Sequence, residues 1–343
     1  MFRKTFKIGL ALVLGGIFLW LAFRNVNLQE LWEYARNISY GWILPLALTS
    51  LGSHFLRAER WRLLIEHDKK DLSRVTLISG VMVGYLLNIV GPRLGEVSRP
   101  VYVAKREGLS SSKLMGTIVL ERIIDLATMI FLMVVVSVYL VADLSLLRQI
   151  FGDETVHFLT EGYTMVTVLW VLFFTGFILL MVYLTIKAAR ALGRRFENVQ
   201  VWVERIEEAV IMFKDGLLSV REVQRWWLFI FYTLLIWFGY TLMTYIPFWM
   251  FNMQEVYQLG FLDALVITVI SAIGIAIPSP GGIGTYHYFV KQTLLVLFAV
   301  PAVVGLAYAT ITHASMILIV SCFTPVFLAI DKFLAAKRGD PLF

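Results

Sequence analysis

The sequence predicts an all-α, polytopic integral membrane helical bundle with two re-entrant, broken-helix hairpins, and three observations predict it. The 343 residues are 59% hydrophobic and 16% charged, with a mean hydropathy of +0.77, which is too apolar for an ordinary soluble domain. Apolar runs long enough to cross about 30 Å of hydrocarbon recur along the chain. Two of these runs contain helix-breaking residues, at Asn88–Arg99 and Ile277–Gly284. Lipid cannot satisfy loose backbone groups, so such breaks survive only against protein or trapped water. Paired breaks in two halves of a membrane chain point to a transport site.

The first apolar run, Ile8 to Phe23, follows the basic start Met1–Lys7. No small-x-small cleavage site follows it, so it reads as a retained helix. Further runs lie at 41–57, 74–104, 114–141, 163–187, 227–251, 263–299 and 302–329. The interrupted ones are 74–104 and 263–299. If both are hairpins, six full crossings remain; if their halves cross, ten. Either count leaves both termini on one side. In the first hairpin the return arm, Val97 to Ala104, reads as about half the length of the incoming arm.

Lys and Arg set the orientation. The N-terminus, 57–74, 105–113, 187–225 and the C-terminus hold 23 of the 30 Lys and Arg residues. These segments are read as cytoplasmic, with both termini inside, in the inner cell membrane. Arg57, Arg60 and Arg62 then mark a helix end whose cations snorkel to headgroups. The first break enters from the cytoplasm and the second from outside, as an inverted pseudo-repeat would give. The net charge of +6 is therefore topological and meets anionic headgroups; no nucleic-acid partner is expected. The connection at 188–226 places Phe196, Val199, Val203, Ile206, Val210, Phe213 and Leu217 on one helical face, the pattern of a cytoplasmic amphipathic helix. The whole chain, 1–343, reads as a single transmembrane domain.

The first break carries charge. Gly91-Pro92 and Gly95 stop the incoming helix, and Arg93, Glu96 and Arg99 follow at i, i+3 and i+6, so that neighbours pair along one helix. Charges at membrane depth must pair or line a wet cavity. Either this is a self-neutralising cluster that holds the hairpin, or it brings one net positive charge to a cavity suited to a phosphate headgroup. A second cluster, Glu121-Arg122-Ile-Ile-Asp125, either bridges to basic loops or partners Arg93 or Arg99 across the hairpin. The second break, Pro278-Ser-Pro280-Gly281-Gly282-Ile-Gly284, is free of charge and relies on backbone; Thr285, Tyr286 and His287 open the returning helix. The single cysteine, Cys322, excludes an intramolecular disulfide and a Cys-based metal site. Catalytic and nucleotide-binding motifs are absent, so neither enzymatic activity nor a cofactor is expected.

Together, Asn88 with Pro92-Arg93-x-Gly95-Glu96-x-x-Arg99, Glu121-Arg122-x-x-Asp125, Pro278-x-Pro280-Gly281-Gly282-x-Gly284 and Arg57-x-x-Arg60-Trp61 resemble the transmembrane, flippase-like domain of lysylphosphatidylglycerol synthases. The resemblance covers almost the whole chain. It implies a protein that moves lipids between leaflets, with two re-entrant elements lining a central cavity. It is to a stand-alone member, because a short polar stretch follows the last span, and synthesis of lysylphosphatidylglycerol is not expected. Family members often carry an acidic residue where this chain has His287. That shifts the expected cargo from a cationic aminoacyl headgroup toward an anionic phospholipid or a polyprenyl phosphate.

The expected site therefore comprises Asn88, Arg93, Glu96, Arg99, Glu121, Arg122 and Asp125 as lipid-binding residues. Pro92, Gly95, Pro278, Pro280, Gly281, Gly282, Gly284 and His287 form a gate or cavity wall. Alternatives are a non-transporting scaffold of envelope-lipid synthesis and a small-solute secondary transporter. Expected partners are membrane lipids, with a homo-oligomer or a lipid-synthesis protein as further candidates.

Overall fold

A computed structural model describes residues 2–24, 26–142, 223–277 and 279–338. The chain divides into two compact units, Met1–Val136 with Ser219–Phe343, and Ser137–Leu218. Apart from the last residues of the helix that ends at Ala142, the first unit carries every feature discussed below. The predicted span at 163–187 and the amphipathic face from Phe196 to Leu217 lie outside the described residues.

The helices are α1 (Phe2–Phe23), α2 (Leu28–Arg36), α3 (Ile43–Ile65), α4 (Arg74–Val90), α5 (Leu94–Glu107) and α6 (Ser111–Ala142), then α7 (Trp226–Met250), α8 (Met253–Val256), α9 (Phe261–Ala276), α10 (Thr285–Phe298) and α11 (Ala302–Arg338). No strand occurs among the described residues. Three helical stretches among them are long and apolar enough to cross a membrane: Ser111–Leu140, Trp226–Met250 and Ala302–Lys337. The protein is an all-α membrane helical bundle. Local chemistry sets the helix ends. Ser73 accepts a hydrogen bond from the Thr76 amide at the start of α4, and Asp263 accepts one from the Gly260 amide at the start of α9, at 2.7 Å. Asn27 caps α2, which turns 84° from α1.

Both interrupted segments fold back on themselves. In the first, α4 and α5 run antiparallel with glycine at the seam: a β-carbon on Gly84 would sit 3.3 Å from the Gly95 oxygen. Two expectations are corrected here. The return arm is not short, because α5 starts directly after the break and its 14 residues span about 21 Å. Gly95 does not belong to the break; it lies within α5 and permits the close approach to Gly84. In the second segment, α9 and α10 are joined by a 3-10 turn at Pro280–Gly282, and Gly274 lies against Phe289.

The two halves repeat one order of parts: a helix (α3 or α7), a hairpin, then a long helix (α6 or α11). The leading helices are antiparallel. Leu46 clusters with Ile246 and Met250, while Arg60 meets Thr233 at the other end, at 3.3 Å. Because each hairpin follows the end of its leading helix, the two hairpins enter from opposite ends of the bundle. Their tips meet: a β-carbon on Gly281 would lie 3.4 Å from the Ile89 α-carbon. α11 runs antiparallel to α4, with Thr324 opposite Met82 and Ser79 opposite Phe327.

At the end where α4 begins, buried Asp331 of α11 holds both arms of the first hairpin. It accepts from Thr76 of α4 at 2.6 Å, from Tyr102 of α5 at 2.6 Å and from Arg106 Nε at 2.9 Å. Arg106 Nη2 also donates to the Asp331 carbonyl at 3.0 Å. Charge-assisted hydrogen bonds contribute about 1.5–3 kcal/mol each. Asp331→Asn is expected to lower the thermal unfolding midpoint in detergent clearly, and an unchanged midpoint would show that the clamp does not hold the hairpin.

Candidate functional site

A polar stripe runs down α3 through Ser50, Ser53, His54, Arg57 and Arg60, at helical spacing, and all five are buried. The apolar run predicted to end at residue 57 continues as helix to Ile65. This overturns the snorkelling reading of Arg57 and Arg60, whose side chains are 7% and 0% exposed. Two carboxylates on α6 draw them inward. Arg60 Nη2 lies 2.7 Å from Asp125 and 3.1 Å from Glu121. Arg57 Nη2 donates to Asp125 at 3.0 Å, and its Nη1 donates to the hydroxyls of Tyr240 and Tyr85 at 2.8 and 3.2 Å. Removing charges from water is costly, so a buried cluster of this kind persists only when its members compensate one another.

The first hairpin contributes the third guanidinium. Arg99 Nη1 lies 2.8 Å from the second oxygen of Glu121, and its guanidinium stacks over the Trp61 ring at 4.0 Å. Trp61 is itself fixed by a 2.8 Å hydrogen bond to Thr117 of α6. Three guanidiniums face two carboxylates, leaving one net positive charge. Arg99 Nε and Nη2 are buried without a hydrogen-bond acceptor among the described residues.

Beside this cluster lies a cavity of about 30 Å³ lined by Arg57, Tyr85, Asn88, Gly95, Glu96, Arg99 and Arg122, with Val81, Gly84 and Ile118. One water centre needs about 10–15 Å³, so the cavity holds about two waters. Asn88 bridges the hairpin by accepting from the Gly95 amide at 2.7 Å.

The expected pairing of Arg93, Glu96 and Arg99 along one helix does not form. Glu96 pairs with Arg122 at 3.2 Å, and Arg99 turns to Glu121. Arg93 sits exposed at the hairpin tip with a left-handed backbone, φ 63°. Pro92 lies at the tip and does not line the cavity. Pro280, Gly281, Gly282 and Gly284 also lie off the cavity lining: Pro280 and Gly284 pack against α1, Gly281 against Ile89, and Gly282 against Ile275 and His313. Gly284, at φ 87°, abuts the Gly15 carbonyl of α1. Pro278 lies outside the described residues. His287 is buried, with its ring 5.0 Å from that of His313.

The family model described as "Lysylphosphatidylglycerol synthase TM region" matches residues 8–323. The chain belongs to that family. It is a multi-pass membrane protein, and every residue of the cluster falls within the matched span. No curated protein and no solved structure matches the chain.

Sequence reasoning missed Arg57, Arg60, Trp61, Tyr85 and Tyr240 as cluster members of this lysylphosphatidylglycerol synthase TM-region protein. The signal for three of them was present. Ser50, Ser53, Arg57 and then Arg60 and Trp61 recur at three- and four-residue steps, a stripe on a helix that must bury it. Tyr85 and Tyr240 gave no local signal, because only the fold brings them within 3.1 Å of each other.

Proposed function

We propose that this protein moves a phosphate-bearing lipid, an anionic phospholipid or a polyprenyl phosphate, between membrane leaflets. Family membership supports a membrane lipid-related role. The observation that carries the finer reading is the buried cluster itself: it holds one net positive charge, and two Arg99 nitrogens lack an acceptor beside a polar cavity. A guanidinium fork matches phosphate oxygens, and acyl chains can stay in lipid while the headgroup crosses. The cavity takes about two waters, less than a phosphate group, so headgroup entry requires the first hairpin to move away from α3 and α6, which wall the cavity with it. In this reading the hairpins are re-entrant, entering from opposite faces, with both termini cytoplasmic as the Lys and Arg bias indicates. The chain itself performs no bond-making chemistry.

The test is reconstitution of purified protein in liposomes with headgroup-labelled lipids. Labelled lipid is expected to change leaflet faster than in protein-free liposomes. Arg99→Gln is expected to slow it by about tenfold or more through loss of charge-assisted hydrogen bonds. Arg93→Gln, outside the cluster, should stay within about twofold. If no lipid class crosses faster than in protein-free liposomes, the proposal fails. The small cavity favours a second reading, a non-transporting scaffold in which the cluster is a structural lock; Arg99→Gln would then lower stability without touching any lipid movement.

A further inference from the structure

The second hairpin holds two buried titratable groups that the phosphate site does not use. His313 of α11 lies 2.9 Å, through Nε2, from the Gly281 carbonyl. A carbonyl only accepts, so Nε2 carries the proton and the neutral ring leaves Nδ1 as a bare lone pair. No donor meets that nitrogen among the described residues, and His287 Nδ1 is likewise unpartnered. The two rings stand 5.0 Å apart, and Tyr286 packs edge-on against His313 at 4.9 Å.

Among the described residues the surroundings offer no counter-charge. Neither imidazole forms an ion pair with a carboxylate among the described residues. From Leu12 onward α1 has no ionisable side chain, and the buried ammonium of Lys291, one turn after His287 on α10, donates to the Leu21 and Ala22 carbonyls of α1. The one carboxylate of α9 is Asp263, at its start beside Gly260. Asp331 lies about five turns further along α11 and is bound to Arg106. On α2, Glu30 and Glu33 are exposed. His54 and Arg57 of α3, with Tyr85 of α4 and Tyr240 of α7, belong to the arginine site; Tyr308 of α11 donates to the Thr244 carbonyl.

We infer that His287 and His313 form a one-proton site that controls the contact between the two hairpin tips. The proton comes from water. A second is disfavoured because it would put two cations side by side. The neutral pair keeps His313 on Gly281, and Gly281 rests on Ile89, which follows cavity-lining Asn88 in α4. A proton places an unpaired charge among apolar helices, and the least costly relief is for the turn to move toward water, parting the tips. The inference rests on the transport reading for its purpose, as the coupling of lipid movement to protons, but not for its test.

Hydrogen exchange at 279–284 is followed in nanodiscs of phosphatidylglycerol and phosphatidylethanolamine, from about pH 8 to about pH 5.5, after correction for intrinsic chemistry. Protection is expected to show an acid step, falling progressively below about pH 6.5 and by about tenfold at pH 5.5, as opening becomes linked to the uptake of one proton. The step should vanish in His287→Gln and in His313→Gln, whose amide still donates to Gly281 but takes no proton. In the unmodified protein, imidazole nitrogen resonances should report one proton taken up by the pair. A pH-independent turn, a step that survives both substitutions, or two independently titrating rings overturns the inference. None of these readouts needs lipid to move. If liposomes show no transport while the step is present, the transport reading fails and the proton site stands.

Discussion

Glu121→Ala is expected to cost about 3–5 kcal/mol of stability, the largest effect of any single change in the cluster, because it strands buried arginines without their shared carboxylate. Glu121 is fully buried and touches three guanidiniums, at 2.8 Å from Arg99, 3.1 Å from Arg60 and 3.8 Å from Arg57. Without it, three positive charges face Asp125 alone. Adding Arg60→Met should recover part of the loss, since it restores the cluster to one net positive charge. Arg122→Ala provides the contrast. Its side chain is 49% exposed and its partner Glu96 33%, so solvent screens the pair and the change should stay within about 1 kcal/mol. Thermal unfolding in detergent, followed by tryptophan fluorescence and by monodispersity, measures all three. If Glu121→Ala unfolds together with the unmodified protein, the arginines are compensated by water and the site is wetter than its packing shows.

The bundle was legible because membrane chemistry leaves few options. Span-length apolar runs and the two Gly-Pro breaks each map onto one feature of the helical chain. The breaks were found where the structure has them, at Gly91–Arg93 and near Pro280–Gly284. Pairing was less legible. Helical spacing places Arg93 beside Glu96 and Glu96 beside Arg99, yet α5 turns Arg99 between α3 and α6 and leaves Arg93 at the tip. Which neighbour a charge meets is decided by contacts distant in sequence, such as Arg57 with Tyr240. Hydropathy also misread α3: an apolar window ends where charges begin, although the helix continues and buries those charges on one face. A charged residue beyond a span reads as solvated unless its helical face is checked against the polar residues one turn back. Here Ser53 and His54 precede Arg57.

Gly95→Ala is expected to disable the first hairpin out of proportion to the single methyl it adds. A β-carbon at Gly95 would overlap the Gly84 carbonyl oxygen and lie 2.8 Å from Asn88 Cγ. Backbone oxygen cannot rotate away as a side chain can, so the arms must separate. Overpacking costs about 1–3 kcal/mol, and separation also breaks the Asn88 hydrogen bond to the Gly95 amide. Arg99 lies one turn further along α5, so the same shift moves its guanidinium away from Glu121 and Trp61. Lipid movement should therefore fall together with stability. Gly116→Ala is the matched control: nothing lies within 4 Å of a β-carbon there, and alanine in a helix interior gains about 1 kcal/mol over glycine. The two alanines should shift the unfolding midpoint in opposite directions. Equal midpoints would mean that α4 and α5 do not pack as closely in the membrane as Gly84 and Gly95 permit, and the cavity wall would then have to be built from side chains other than this seam.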